Sequence, residues 1–246
     1  MSTQKNSGHS VEKASESTDT YSGHGDAQGA AGVKDSVAST SQDMLDKSGE
    51  SELISPPEGG FGNIHIGLQW NNIIVEKASG FMGLIKKSMN KGVDLDLGCF
   101  FELENETRGI LQPFGELFGH LDQIPYIQHS GDDRTGDAKG DDEYFTVNGK
   151  QWPQIKRILI YTYIYEGSSD WSQIMPKISI DLKTGDAPIQ IAPTLKTSKM
   201  TVCALASIKN VKNGIQIETH GEYFTSQAAM DRAFGFGLEW EDGAKD

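Results

Sequence analysis

The sequence predicts an all-β domain, a β-sandwich of two antiparallel sheets with one or two short helices, preceded by a disordered N-terminal tail. Three observations predict it. Short apolar or alternating runs recur at close spacing through residues 59–246, as sandwich strands do. Turn signals separate those runs, the strongest being Asn213-Gly214. Stretches with a helical period are few and short.

In chain order, residues 1–58 are expected to form a low-complexity tail. The first 57 carry four lysines against nine acids and a single aromatic, Tyr21. Such a segment buries too little apolar surface to offset the entropy of ordering. No apolar run follows the start, so a secretory signal is not expected. Pro56-Pro57-Glu58-Gly59-Gly60 marks the boundary by its turn chemistry. Asn63–Trp70 then reads as a strand with Ile64, Ile66, Leu68 and Trp70 on one face. Phe81–Met89 reads as a short helix and Asp94–Leu103 as a strand. Asn105–Gly109 turns into Ile110–Phe114, while Gly115–Gln123 carries no decisive pattern. Tyr126–His129 and Tyr144–Val147 read as strands, and so does the longer Arg157–Glu166. In that strand Ile158, Ile160 and Ile164 face one way, and Leu159, Tyr161, Tyr163 and Tyr165 the other. Both faces are therefore expected to be covered, in preference to an open tyrosine stacking platform. Ile178–Leu182, Ile189–Ala192, Thr201–Asn210 and Ile215–Phe224 continue the strand series. Ser226–Ala233 reads as a helix, and Phe234–Trp240 as a closing strand.

Composition bounds the function. A net charge of −13 makes nucleic acid and anionic membranes poor direct partners and cations natural ones. No apolar run approaches the ~18 residues of a transmembrane span. Cys99 and Cys203 sit in apolar runs and read as small core hydrophobes. With no disulfide framework, a reducing cytoplasm is the expected compartment.

The loop Gly131–Glu143 is the most unusual stretch. Six of its thirteen residues are carboxylates: Asp132, Asp133, Asp137, Asp141, Asp142 and Glu143. Like charges packed so closely repel unless a cation lies among them. Many oxygens and no sulfur suit a hard cation, calcium before magnesium. A solvated acidic surface loop is the plainer alternative. An EF-hand is excluded, because Arg134 and Asp137 stand where a ligand and the invariant glycine belong. The flanks also read as strands. A second acidic pair, Asp94 and Asp96, shares one face of its strand, opposite Leu95, Leu97, Cys99 and Phe101. If the acidic loop folds over that face, both groups can share one cation.

These residues carry a resemblance. Val93-Asp94-Leu95-Asp96-Leu97 followed by the Gly131–Glu143 loop resembles the paired signature of the TerD family of tellurium-resistance proteins. Gly67-Leu68-Gln69-Trp70, Arg157–Glu166 and the ending from Tyr223 to Trp240 match the same family in order, the last most like its TerA-type branch. The resemblance covers Gly59–Asp246 and implies a calcium-binding β-sandwich. Carried over by position, it implies metal ligands from Asp94, Asp96, Asp132, Asp133, Asp141, Asp142 and Glu143, with Asp137 in the same loop. Lys139 departs from the family, which usually has an acid there.

No Gly-x-Ser-x-Gly elbow or phosphate-binding loop is present, and Gly235-Phe236-Gly237 opens no βαβ unit. His129 reads as structural rather than as a catalytic base. The expectation is therefore a non-enzymatic calcium module of a tellurite-resistance or stress system, coupling cation occupancy to binding of another protein of that system, a membrane-bound one included. A structural interaction domain with a stabilising metal, and a metal-assisted hydrolase, are the alternatives.

Overall fold

The computed structural model describes residues 44–71, 74–75, 90–131, 141–167, 170–193, 195–196 and 198–240, with backbone alone at 74–75 and 90–91. The helix expected over Phe81–Met89, the first 43 residues of the tail expected over 1–58, and Asp132, Asp133 and Asp137 lie outside the described residues. The strands are β1 (Met44–Leu45), β2 (Ser51–Ile54), β3 (Ile64–Gln69), β4 (Ile74–Val75), β5 (Asn90–Lys91), β6 (Asp94–Leu103), β7 (Arg108–Leu111) and β8 (Gly119–His120). They continue as β9 (Ile127–His129), β10 (Glu143–Val147), β11 (Ile155–Glu166), β12 (Lys177–Asp181), β13 (Ile189–Ile191), β14 (Val202–Val211) and β15 (Gly214–Phe224). The helices are α1 (Trp171–Ile174) and α2 (Gln227–Phe234), with a 3-10 turn at Gly149–Gln154.

Two sheets make the sandwich. The first has the order β1-β13-β12-β3-β10-β9-β8 and the second β2-β15-β14-β11-β6-β7; β4 and β5 pair apart. Every pairing is antiparallel except β1 with β13. Alternation sorts the side chains as the sequence predicts. Ile64, Ile66 and Leu68 of one sheet meet Leu95, Leu97, Cys99, Ile158 and Ile160 of the other in the main core. The other face of β11 is covered too: Leu159, Tyr161 and Tyr163 pack with Phe100, Met230 and Phe236. The thiols of Cys99 and Cys203 are free and buried, and burial pushes both up. The β14–β15 turn uses Lys212 and Asn213, both at positive φ, so it lies one residue earlier than Asn213-Gly214. Among the described residues, no helix is long and apolar enough to cross a membrane.

Two expectations are corrected. The compact unit runs from Ser41 to Asp246, so the folded part begins before Pro56-Pro57. β2 pairs with β15 from Ile54↔Ile215 to Ser51↔Glu218, and β1 extends the first sheet. Edge strands this short carry too little apolar alternation to stand out from a polar tail. The second correction concerns the C-terminus: Phe234–Trp240 is no strand. Ser226 caps α2 by accepting the Ala229 N–H at 3.2 Å, and Gly235 ends the helix in the left-handed region. The Asp231 carboxylate then accepts from Gly237 N (2.8 Å), Leu238 N (2.9 Å) and Trp240 Nε1 (2.8 Å). Those donors are satisfied by one side chain in place of a strand ladder.

Glu102 fastens this C-terminal cover. Its buried carboxylate accepts from Arg157 Nε (2.6 Å), Lys156 Nζ (2.9 Å) and Arg108 Nη2 (3.1 Å). Arg157 also donates to Phe234 O and Gly235 O, both at 2.8 Å, satisfying carbonyls at the end of α2. Burial alone would raise the Glu102 carboxyl; the hydrogen bonds from Lys156, Arg157 and Arg108 outweigh it and hold it at about 2.

Two outcomes follow from these contacts. Deleting residues 1–40 should leave the melting temperature unchanged. Deleting 1–57 should lower it, since that cut removes β1, β2 and the partly buried Leu45 and Ile54, worth about 1–3 kcal/mol in buried apolar surface. Calorimetry of both truncations decides, and equal melting temperatures would restore the boundary to Pro56-Pro57. Glu102, depressed from 4.5 to about 2, contributes its full stability above pH 4.5 and loses it as pH falls through that window. Unfolding free energy should therefore fall with acid over this range in the native chain. The slope should flatten in Glu102→Gln; equal slopes would remove Glu102 from the account.

Candidate metal centre

The acidic loop leaves β9 and returns as β10, and its root joins the two sheets. β7 stops pairing with β6 at Leu111↔Cys99, so among the described residues no strand lies beside this edge of β6 at Leu97. Side chains from the first sheet supply the missing partners. Glu143 Oε2 accepts the Leu97 N–H at 2.7 Å. His129 Nε2 lies 3.1 Å from Leu97 O and 3.6 Å from Glu143 Oε2. The Gly131 N–H reaches His129 Nδ1 at 3.0 Å. That nitrogen is then the acceptor, so Nε2 carries the proton and donates to Leu97 O. Both side chains are buried, Glu143 completely. His129 is thus a structural group, as its position in the sequence suggests.

Asp94 and Asp96 lie on the face of β6 away from the main core, as alternation requires. Asp94 is half-buried and faces Glu166 across the sheet register; Asp96 is buried opposite Tyr163. Thr162 Oγ1 donates to Asp96 O at 2.8 Å and fixes the strand there. Burial, then the Asp96 carboxylate and, more weakly, the charge of Glu143, push the Tyr163 phenol far above its ordinary value. Tyr163 therefore sits within the field of both carboxylates. Asp142 is buried as well, and its N–H donates to Leu68 O at 2.9 Å. Asp142 and Glu143 thus stand at the loop root, and Tyr163 links Glu143 to Asp96, from a distant part of the sequence.

Asp141 goes elsewhere. Its carboxylate lies on the outer face of the first sheet, against His65 Nε2 (2.8 Å), Gln69 Nε2 (3.0 Å) and Ser179 Oγ (3.3 Å). Burial would raise this carboxyl; the hydrogen bonds from His65 and Gln69 overcome it and hold it below its ordinary value. The seat exists because position 67 is glycine. A Cβ there would stand 1.9 Å from Asp141 Oδ2. Sequence reasoning placed Asp141 with the shared ligands and missed His65, Gln69, Ser179 and Tyr163. Gly67 inside a strand was the available signal of a close approach.

The carboxylates at the loop root and the absence of sulfur donors suit a hard cation. Among the described residues, however, no group of three or more His, Cys, Asp or Glu side chains is placed to hold a metal ion. Asp94, Asp96, Asp142 and Glu143 thus complete no metal-ion site among themselves. Glu143 has one oxygen engaged by Leu97.

No protein-family model matches this sequence. The chain is 38% identical over 187 residues to tellurium resistance protein TerA of an Alcaligenes species, covering 75% of this chain and 53% of that protein. This chain belongs to the TerD-type tellurium-resistance family. A second family member, tellurium resistance protein TerZ of Serratia marcescens, is 30% identical over 110 residues, 44% of this chain and 53% of that protein. The chain thus spans about half the length of these tellurium-resistance relatives. A solved homologue of telluride resistance protein TerD from Streptomyces coelicolor A3(2) aligns at 15% identity with a TM-score of 0.44, over 68% of this chain and 92% of that one.

In this family member Glu143 should behave as a structural group even without metal. Glu143→Ala strands the buried Leu97 N–H and should cost about 1–3 kcal/mol, measured by urea unfolding in chelator. Glu143→Gln retains a carbonyl acceptor and should cost less. An Ala variant as stable as the native chain in chelator would refute the joint.

Proposed function

We propose that this chain is a calcium-binding module of a tellurium-resistance system that couples cation occupancy to binding of a protein partner. The observation that carries the reading is that buried Asp142 and Glu143 stand at the root of a loop with further carboxylates at Asp132, Asp133 and Asp137, while buried Asp96 shares Tyr163 with Glu143. Buried like charges favour a bound cation, and oxygen donors in this number favour calcium. Asp94, Asp96, Asp142 and Glu143 would hold the ion from the sandwich side. Asp141, turned to His65, is left out of the set. Bound calcium would offset the charge of the wall and give the loop one arrangement for a partner to meet. The role is binding rather than catalysis, and its free buried thiols suit the cytoplasm.

A second reading is favoured by the Glu143–Leu97 hydrogen bond: a structural interaction domain in which calcium only stabilises the fold. Both readings expect calcium to raise the melting temperature, by the equivalent of about 2.7 kcal/mol at a hundredfold excess over Kd. They part on whether partner affinity depends on calcium.

Calorimetric titration tests the site itself. Calcium should bind the native chain more tightly than magnesium does. Asp96→Asn should weaken calcium binding by about 1–3 kcal/mol, and Asp141→Asn by clearly less. An isotherm unchanged by Asp96→Asn would end the shared-wall account.

A further inference from the structure

We propose that Ser207 and His220 form a nucleophile–base pair that hydrolyses small carboxylic esters, in a cavity between the outer face of the second sheet and the end of α2. This is a second site, apart from the cation module and independent of it. Arg157, which lines the cavity, pairs with Glu102, whereas Tyr163 pairs with Asp96. The cavity therefore lies toward the other end of β11 from the acidic residues.

The strand register builds the pair. Ser207 on β14 stands opposite Glu218 on β15, and both face away from the main core, which takes their neighbours Ala206, Ile208 and Ile217. The ladder then shifts. Ala206 pairs with Thr219 but Ala204 pairs with Glu222, so His220 and Gly221 on β15 answer to Leu205 alone on β14. Gly221, at φ +120, absorbs the bulge, and a bulge re-aims the side chain beside it. Here His220 is aimed at Ser207, with Nε2 2.7 Å from Oγ. At that separation an imidazole can take the hydroxyl proton.

A small molecule can reach this pair. Ser207 and His220 are only 6% and 7% exposed, yet both line a cavity of about 360 Å3, the size of a small-ligand site. Phe234 and Phe236 give it an apolar side for an acyl or aryl group. The Phe234 ring also meets the imidazole edge-on at 4.9 Å, which holds the base in place. Burial keeps His220 below its ordinary value, against the pull of Glu218 and Glu222, so the imidazole is neutral at pH 7 and free to accept a proton. Lys209 lies two residues from Ser207 on the same strand face and lines the same cavity. Its Nζ donates to Glu218 at 2.7 Å. An ammonium has three N–H groups, and the other two can meet the charge that develops on a carbonyl oxygen.

The reaction balances with water alone. Ser207 Oγ bonds to the ester carbonyl carbon as its proton passes to His220 Nε2. The carbon–alkoxy bond then breaks, and His220 returns the proton to the departing alcohol. Water attacks the acyl-serine, giving a proton to His220. The bond from carbon to Oγ breaks, Oγ recovers the proton, and the carboxylic acid leaves.

The test uses the full chain. Diisopropyl fluorophosphate should add one diisopropylphosphoryl group, located on Ser207 by peptide mass spectrometry, with loss of fluoride. p-Nitrophenyl acetate should be hydrolysed, and the activity should vanish on labelling and in Ser207→Ala. His220→Gln should slow labelling by about a hundredfold, and Lys209→Met should slow ester hydrolysis by about a hundredfold. Ser51→Ala, on β2, should change neither. Rates should be equal in calcium and in chelator, so failure of this site is distinguished from failure of the cation reading. Labelling of the native chain depends on no variant folding: absence of label from Ser207 would overturn the proposal outright. Equally fast labelling of Ser207 in folded His220→Gln, ester hydrolysis that survives Ser207→Ala, or rates that require calcium would also overturn it.

Discussion

Everything at the acidic end depends on the backbone N–H and C=O of one residue, Leu97. A strand that loses its neighbour part-way along leaves an N–H and a C=O facing an apolar interior. Here the orphan pair is met by Glu143 and His129, which belong to the opposite sheet. The same two residues end the strands that enter and leave the acidic loop. A local hydrogen-bonding requirement thus fixes where the loop begins and ends. It also explains why a fully buried carboxylate is tolerated: one oxygen is hydrogen-bonded, and a buried histidine proton lies nearby.

Much of this architecture was legible in the sequence, because strand alternation is a local property. The assignment of Asp94 and Asp96 to one face of β6 and of Leu95, Leu97 and Cys99 to the other needed only a period of two. The covered tyrosine face of β11 followed from the same logic. What escaped was decided by partners far away in the chain. β2 is a strand only because β15 offers it an edge. The last residues looked like a strand, yet Asp231, on the preceding helix, takes their donors. Asp141 could not be separated from Asp142 by composition. A missing Cβ on Gly67, more than seventy positions earlier, draws it to the other side of the sheet.

The second sheet is closed on its outer face by a different device. Glu102 gathers three cationic side chains, and two of them, Arg108 and Arg157, hold the carbonyls of residues 234–236. Phe236 sits beneath the Arg157 guanidinium at 4.0 Å and against Phe100. The tyrosines of β11 are thereby packed from behind, so Tyr163 presents its phenol to Asp96 from a fixed position. The C-terminal cover, the tyrosines of β11 and the Asp96 segment of β6 thus form one connected set of contacts.

The central claim is that the wall is built by the fold and the loop is organised by the cation. Amide hydrogen exchange with and without calcium tests it most directly. The account predicts that the Leu97 amide is strongly protected in both states, and that amides from Gly131 to Asp142 gain protection only when calcium is added. Loop amides that exchange at the same rate in calcium and in chelator, or a Leu97 amide protected only with calcium, would contradict it.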